Sequence, residues 1–142
     1  MRPTWVTVDL EAVAYNVAVF RDLVAPAEVC AVVKADGYGH GALPVAQAAL
    51  GAGATWLAVA LVEEAAALRG GGLDVPILLL SEPRQEEMVE VVMLGGVRPT
   101  VYTEAGIRAF AAVADPEAPV HLKVDTGMHR VCLLYTSDAA DE

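Results

Sequence analysis

Short runs of β-branched and aliphatic residues alternate along this chain with longer stretches rich in Ala, Leu and Glu, whose apolar positions recur at helical spacing. Residues 4–8 alternate like a strand. Asp9 then stands where an N-cap would open a helix over 11–24, with Leu10, Val13, Val17 and Phe20 on one face. Residues 29–34 read as a second strand, apolar on both faces as a strand buried in a parallel sheet requires, and a helix is expected over 44–52. The rhythm then repeats. Strands over 56–60, 75–80 and 98–101 precede helices over 62–68, 85–94 and 104–114, and a last strand falls at 120–124. The glycine runs Gly70-Gly71-Gly72 and Gly95-Gly96 mark helix ends, where positive φ is expected.

This alternation places the chain in the α/β class, with about six parallel strands between helices. Periodicity leaves a (β/α)8 barrel and an open doubly wound sheet both standing. A complete barrel takes about 250 residues. The 142 residues here are therefore expected to form an incomplete TIM-type barrel, its N-terminal part only. Such an arc would carry exposed sheet edges and poor stability on its own.

Composition narrows the function classes. With 56% hydrophobic and 20% charged residues the chain is too apolar for disorder. A net charge of −10 without a cluster of Lys and Arg excludes a nucleic-acid partner. Part of the acidity is local, since Asp138, Asp141 and Glu142 crowd the end without a base. Cys30 and Cys132 form neither a disulfide framework nor a metal-ligand spacing, which suits a reducing compartment and no bound metal. The N-terminus lacks the apolar region of a signal peptide. Pro and Gly break every apolar run short of the roughly 20 residues a spanning helix needs. A cytoplasmic protein away from membranes is expected.

The chemistry concentrates at Ala31-Val32-Val33-Lys34-Ala35-Asp36-Gly37-Tyr38-Gly39-His40-Gly41. Here a lysine ends an apolar strand and meets a loop with three glycines. Burying an unpaired ammonium is costly, so Lys34 must either reach out to solvent or serve a site. At the C-terminal end of a barrel strand, where active sites of that fold assemble, an amine can condense with an aldehyde cofactor and exchange protons with substrate carbon. Gly37, Gly39 and Gly41 allow close approach of backbone to a ligand, and Tyr38 adds a hydroxyl. Taken singly, Lys34 also reads as a surface lysine, His40 as a solvated loop residue and the glycines as an ordinary turn. A nucleotide-phosphate loop is ruled out because neither glycine-rich spacing for it is present.

The run from Val32 to Gly41 resembles the cofactor-lysine motif of alanine racemases. A second run, His121-Leu122-Lys123-Val124-Asp125-Thr126-Gly127-Met128-His129-Arg130, resembles the same family at the expected distance, and Trp5 to Leu10 with Asn16 resembles its start. The resemblance implies that Lys34 carries pyridoxal 5'-phosphate and acts as a catalytic base. It implies that Tyr38 hydrogen-bonds the cofactor phosphate, and that Arg130 faces the cofactor phenolic oxygen and binds the substrate carboxylate. Lys123 matches a lysine that is carbamylated in many members and orients that arginine. The implied activity is interconversion of L- and D-alanine for peptidoglycan, in a homodimer whose second domain supplies a tyrosine as the opposite base. The likeness covers residues 4–131, whereas 132–142 resemble a translated adapter or vector junction. Tyr135 is not taken for the catalytic tyrosine, and the chain as written is expected to be inactive alone. Two rivals remain: a non-catalytic pyridoxal-phosphate homeostasis protein, which lacks the second motif, and a racemase for serine or another small amino acid. A third reading is an assembly product that is never made as such.

Overall fold

The computed structural model describes residues 3–133. Helix α1, Leu10–Val24, begins where Asp9 Oδ1 accepts the amides of Glu11 (3.0 Å) and Ala12 (3.1 Å). Four strands then pair in parallel and in chain order: β1 Cys30–Val32, β2 Trp56–Val59, β3 Ile77–Leu79 and β4 Val97–Arg98. A second parallel pair joins β5, Thr100–Val101, to β6, His121–Leu122. Strands β4 and β5 are halves of one extended run. Pro99 between them has no N–H to give the ladder, so the run pairs with β3 before it and with β6 after it.

Helices α2, Ala42–Gly51, α3, Val62–Gly70, α4, Met88–Met93, and α5, Glu104–Ala111, fill the connections. Pro44 sits in the first turn of α2, where a missing N–H costs nothing. The helix expected over 85–94 opens as a 3-10 turn, Gln85–Glu87. Glu87 Oε2 there accepts the Arg84 amide at 2.8 Å. The Arg84 guanidinium also holds the Glu87 carboxyl below its usual range.

One strand expectation fails. Residues 4–8 form no strand, and Trp5 and Val6 are exposed. Alternation can suit a segment to a sheet, but a strand persists only where an edge offers a ladder, and no described strand lies beside this one. Gly71 also departs from expectation, with φ −78° at the end of α3. Gly72, Gly95 and Gly96 do take positive φ.

The core lies between sheet and helices. Leu57, Val59, Ile77 and Leu79 point from the strands onto Val62, Ala65 and Leu68 of α3 and Met88 and Val91 of α4, all essentially without exposure. Each large side chain so buried contributes about 1.5–3 kcal/mol. The other face is concave. Trp56 of β2 meets His121 of β6 edge to face, centroids 6.3 Å apart, and the Arg98 guanidinium lies 4.4 Å from the Trp56 ring centre. In a flat sheet strands that far apart would be separated by roughly 14 Å, so the arc curls as a barrel wall does. It does not close: β1 and β6 are its edges, and Val32 and Leu122 are exposed there.

Arg69, at the end of α3, ties two loops at the opposite end of the strands. It donates to the carbonyls of Leu73 (2.6 Å), Val75 (2.9 Å), Leu94 (3.1 Å) and Gly95 (2.8 Å). Arg69→Ala should lower stability by about 2–3 kcal/mol, because the carbonyls then lose their shared donor. Urea unfolding checks this, and a loss under about 0.5 kcal/mol would contradict the reading.

Candidate active site

The register places one residue in two on the concave face. Val32 pairs with Ala58 and Ala58 with Leu78, so the next residues on that face, Lys34, Ala60 and Leu80, lie side by side at the strand ends. Tyr102 and Lys123 follow β5 and β6 in the same sense, since Val101 pairs with Leu122. These five residues, with Ser81, Arg130 and Val131, line one cavity of about 320 Å³. It opens at the C-terminal ends of the parallel strands, where barrel enzymes place their chemistry.

The backbone after Lys34 is unusual. Lys34–Gly39 coils as a single turn, and its residues Ala35, Asp36, Gly37 and Tyr38 have φ of 51°, 52°, 62° and 56°. Left-handed conformation is costly for residues bearing a Cβ, so the turn must be held from outside. It is closed by Gly37 N–H to Val33 O (2.9 Å) and Gly41 N–H to Asp36 O (2.8 Å). Asp36 Oδ1 accepts the Ala42 amide at 2.8 Å and so ties the turn to the start of α2. A Cβ on Gly37 would come 3.3 Å from the Ala42 backbone, which explains why this position carries glycine.

Two carboxylates fasten neighbouring loops. Glu64 of α3 accepts the Ala35 amide on Oε1 (2.6 Å), and those of Ala60 (2.8 Å) and Leu61 (3.0 Å) on Oε2. Glu82, after β3, accepts the amides of Tyr102 (2.6 Å) and Thr103 (2.8 Å) on Oε2, and the Thr103 hydroxyl on Oε1 (2.5 Å). Gly106 leaves the space that Glu82 fills, for a Cβ there would overlap the carboxyl.

The loop bearing Arg130 is organised by Asp125, whose Oδ1 accepts the amides of Gly127 and Met128, both at 2.8 Å. The amides of Gly127, His129 and Met128 hold the Asp125 carboxyl below the ordinary carboxylate range. The loop returns through Cys132, which is buried and whose Sγ accepts the Asp125 amide at 3.1 Å, and through Leu133 N–H to Lys123 O at 3.1 Å. Cys132 and Leu133 thus engage the fold, whereas Tyr135 and the rest of 134–142 lie outside the described residues.

Of the residues singled out from sequence, Lys34, Lys123 and Arg130 meet in the cavity. Tyr38 does not line it and is 59% exposed. Sequence reading missed Tyr102, Ser81 and the carboxylates Glu64 and Glu82. Tyr102 carried a signal, as a residue at the end of an expected strand. Glu64 and Glu82 carried none, since their partners are amides far along the chain. Among the described residues no group of three or more His, Cys, Asp or Glu could hold a metal, and no helix is long and apolar enough to cross a membrane.

A curled parallel α/β arc with a lysine- and arginine-lined cavity at its C-terminal strand ends defines the class: part of a barrel whose strand-end cavity is cationic. The comparisons give the family. Residues 8–140 match the family described as "Alanine racemase, N-terminal domain", and the chain belongs to it. It is 47% identical over 133 residues to an alanine racemase of Desulforamulus reducens, covering 91% of this chain and 36% of that protein. With an alanine racemase of Symbiobacterium thermophilum the identity is 46% over 138 residues, covering 94% and 36%. The crystal structure of alanine racemase from E. faecalis superposes with a TM-score of 0.81 at 39% identity, over 89% of this chain and 35% of that one. The Bacillus anthracis alanine racemase with bound L-Ala-P superposes at 0.80 and 32% identity, over 99% and 39%. The chain thus spans little more than a third of the length of these relatives.

The direction of the Asp125 shift fixes a pH dependence. A carboxyl whose folded value lies below its unfolded one stabilises the loop above the unfolded value, near 4, and loses that contribution as pH falls through the folded value. The amide resonances of Gly127 and Met128 should therefore stay constant from neutral pH down to about 4 and move only below it. A transition centred above that point would contradict the arrangement.

Proposed function

We propose that this chain forms the cofactor-holding part of a pyridoxal-phosphate-dependent enzyme that interconverts L- and D-alanine. One observation carries the reading. In a chain of net charge −10, the charged groups lining the strand-end cavity are Lys34, Lys123 and Arg130, all cations, with no carboxylate among the lining residues. Such a donor set suits a ligand bearing phosphate and carboxylate, and a strand-end amine suits an aldehyde. When bound, pyridoxal 5'-phosphate delocalises the charge left on the substrate as the Cα proton departs.

The residues divide the remaining work. Lys34 holds the cofactor through its amine and takes or returns the Cα proton on the D-alanine side. Arg130 grips the substrate carboxylate with its planar fork and helps to keep the cofactor oxygen ionised. Lys123 lines the same cavity as Arg130; as a carbamate, in the family pattern, it gives up its positive charge and orients the guanidinium, which leaves Lys34 and Arg130 as the cations toward the ligand. By the family pattern Tyr38 would hydrogen-bond the phosphate from the exposed turn, outside the cavity lining. A tyrosine of a partner subunit serves the L-alanine side, which makes the working form a homodimer. The product feeds peptidoglycan synthesis in the cytoplasm. The names of the relatives favour this reading over a non-catalytic homeostasis protein of the same barrel type.

Incubation with pyridoxal 5'-phosphate followed by borohydride should attach the label to Lys34 in preference to Lys123, as read by peptide mass spectrometry. Lys34→Ala should remove that label, and equal labelling of the variant would refute the assignment. In the full-length enzyme, Arg130→Lys should raise KM for alanine at least about tenfold, because a point charge cannot replace a bidentate pair. An unchanged KM would take the substrate carboxylate away from Arg130.

A further inference from the structure

We infer that Glu64 is the positioning residue for Lys34, acting through the amide of Ala35; this rests on Lys34 being the cofactor-bearing amine. The turn after Lys34 runs through four left-handed residues, and their means of support differ. Gly37 needs none. Asp36 is anchored by its own side chain on the Ala42 amide. Ala35 carries only a methyl group and sits at φ 51° directly beside Lys34. Its N–H donates at 2.6 Å to Glu64 Oε1. On the other side of Lys34, Val33 N–H is fixed by Ala58 O at 2.9 Å. Lys34 is therefore held between a strand ladder and a carboxylate. Without the second hold, the peptide joining Lys34 to Ala35 can relax toward the common right-handed region and carry the amine away from the strand-end cavity.

The same carboxylate receives the amides of Ala60 and Leu61 on its other oxygen. A carboxylate can accept on both oxygens at once. A glutamine must present an NH2 group to one set of donors, so Glu64→Gln breaks one side of the link while keeping size and shape. A helix-capping role for Glu64 would not involve the conformation of Ala35. Glycine at position 35 separates the two roles, because it takes positive φ without assistance.

The test compares the parent chain, Glu64→Gln, Ala35→Gly and the double variant. Each is treated with pyridoxal 5'-phosphate, whose aldehyde condenses with an amine with loss of water, and then with borohydride, which reduces the C=N bond to a stable secondary amine. The initial rate of labelling is read at Lys34 and at Lys123. Glu64→Gln should slow labelling of Lys34 at least about tenfold and leave Lys123 unchanged, as expected when a reacting group loses its orientation. Ala35→Gly in the same chain should restore most of the rate. Equal Lys34 labelling in Glu64→Gln and parent, or no rescue by glycine, overturns the inference. A second measurement needs no variant: in the parent, the Ala35 amide should resist hydrogen exchange, as a donor held at 2.6 Å by Glu64 Oε1 must. An Ala35 amide that exchanges freely also overturns it. If Lys34 of the parent takes no label while Ala35 is protected, the cofactor reading fails and the Glu64 contact stands.

Discussion

The parallel register is the constraint on which both core and cavity depend. Along each strand, successive side chains leave on opposite faces. Val33, Val59, Leu79 and Val101 turn to the helix side and are almost wholly buried. Their successors Lys34, Ala60, Leu80 and Tyr102 turn to the concave side and line the cavity. A slip of one residue would exchange the two sets, driving a lysine into the apolar layer and exposing three or four large side chains. Burial of the first set therefore fixes the second. The pairing that buries the core brings these residues side by side, and at Lys34, past the end of β1, the Glu64 contact with the Ala35 amide adds a second hold.

Loops need more than this, and here the acidic side chains enter. Strand ends leave amides without a ladder partner, and a buried or half-buried N–H must be satisfied. Asp36, Glu64, Glu82 and Asp125 each accept at least one such amide in the loops around the cavity. The overall charge of −10 thus coexists with a cation-lined cavity. The carboxylates named are turned toward backbone donors, while Lys34, Lys123 and Arg130 line the cavity. Net charge says nothing about the sign of the local field.

Much of this was legible because it is local. Asp9 as a cap, the strands around 56–60 and 75–80, and the placing of Lys34 after an apolar run follow from patterns a few residues long. Lys123 and Arg130 were legible only through the second motif, since spacing alone does not show that β6 curls round toward β1. The failures have distinct causes. Residues 4–8 have strand alternation but no described edge to pair with. Pro99 splits one strand between two neighbours. The left-handed turn after Lys34 requires Ala35 and Tyr38 in a region their residue types disfavour, and long-range contacts help to impose it. Glu64 and Glu82 were illegible for the same reason: Glu64 reaches back 29 positions to Ala35, and Glu82 reaches 20 positions on to Tyr102.

The open arc also sets the strength of the electrostatic field in the cavity. Two apolar grooves of about 440 Å³ flank the sheet, one between α1 and β1 and one between α5 and β6. Both lie beside edges with unpaired ladder groups. While these edges stay uncovered, water reaches the concave face, and an opposite charge 4 Å from Arg130 would gain only about 1 kcal/mol. Covering them would lower the effective dielectric toward about 20 and raise the same attraction to about 4 kcal/mol. The strands and the loop held by Asp125 place the cations. What covers the edges sets the dielectric around them, so the field in the cavity depends on the wall as a whole more than on any one side chain within it.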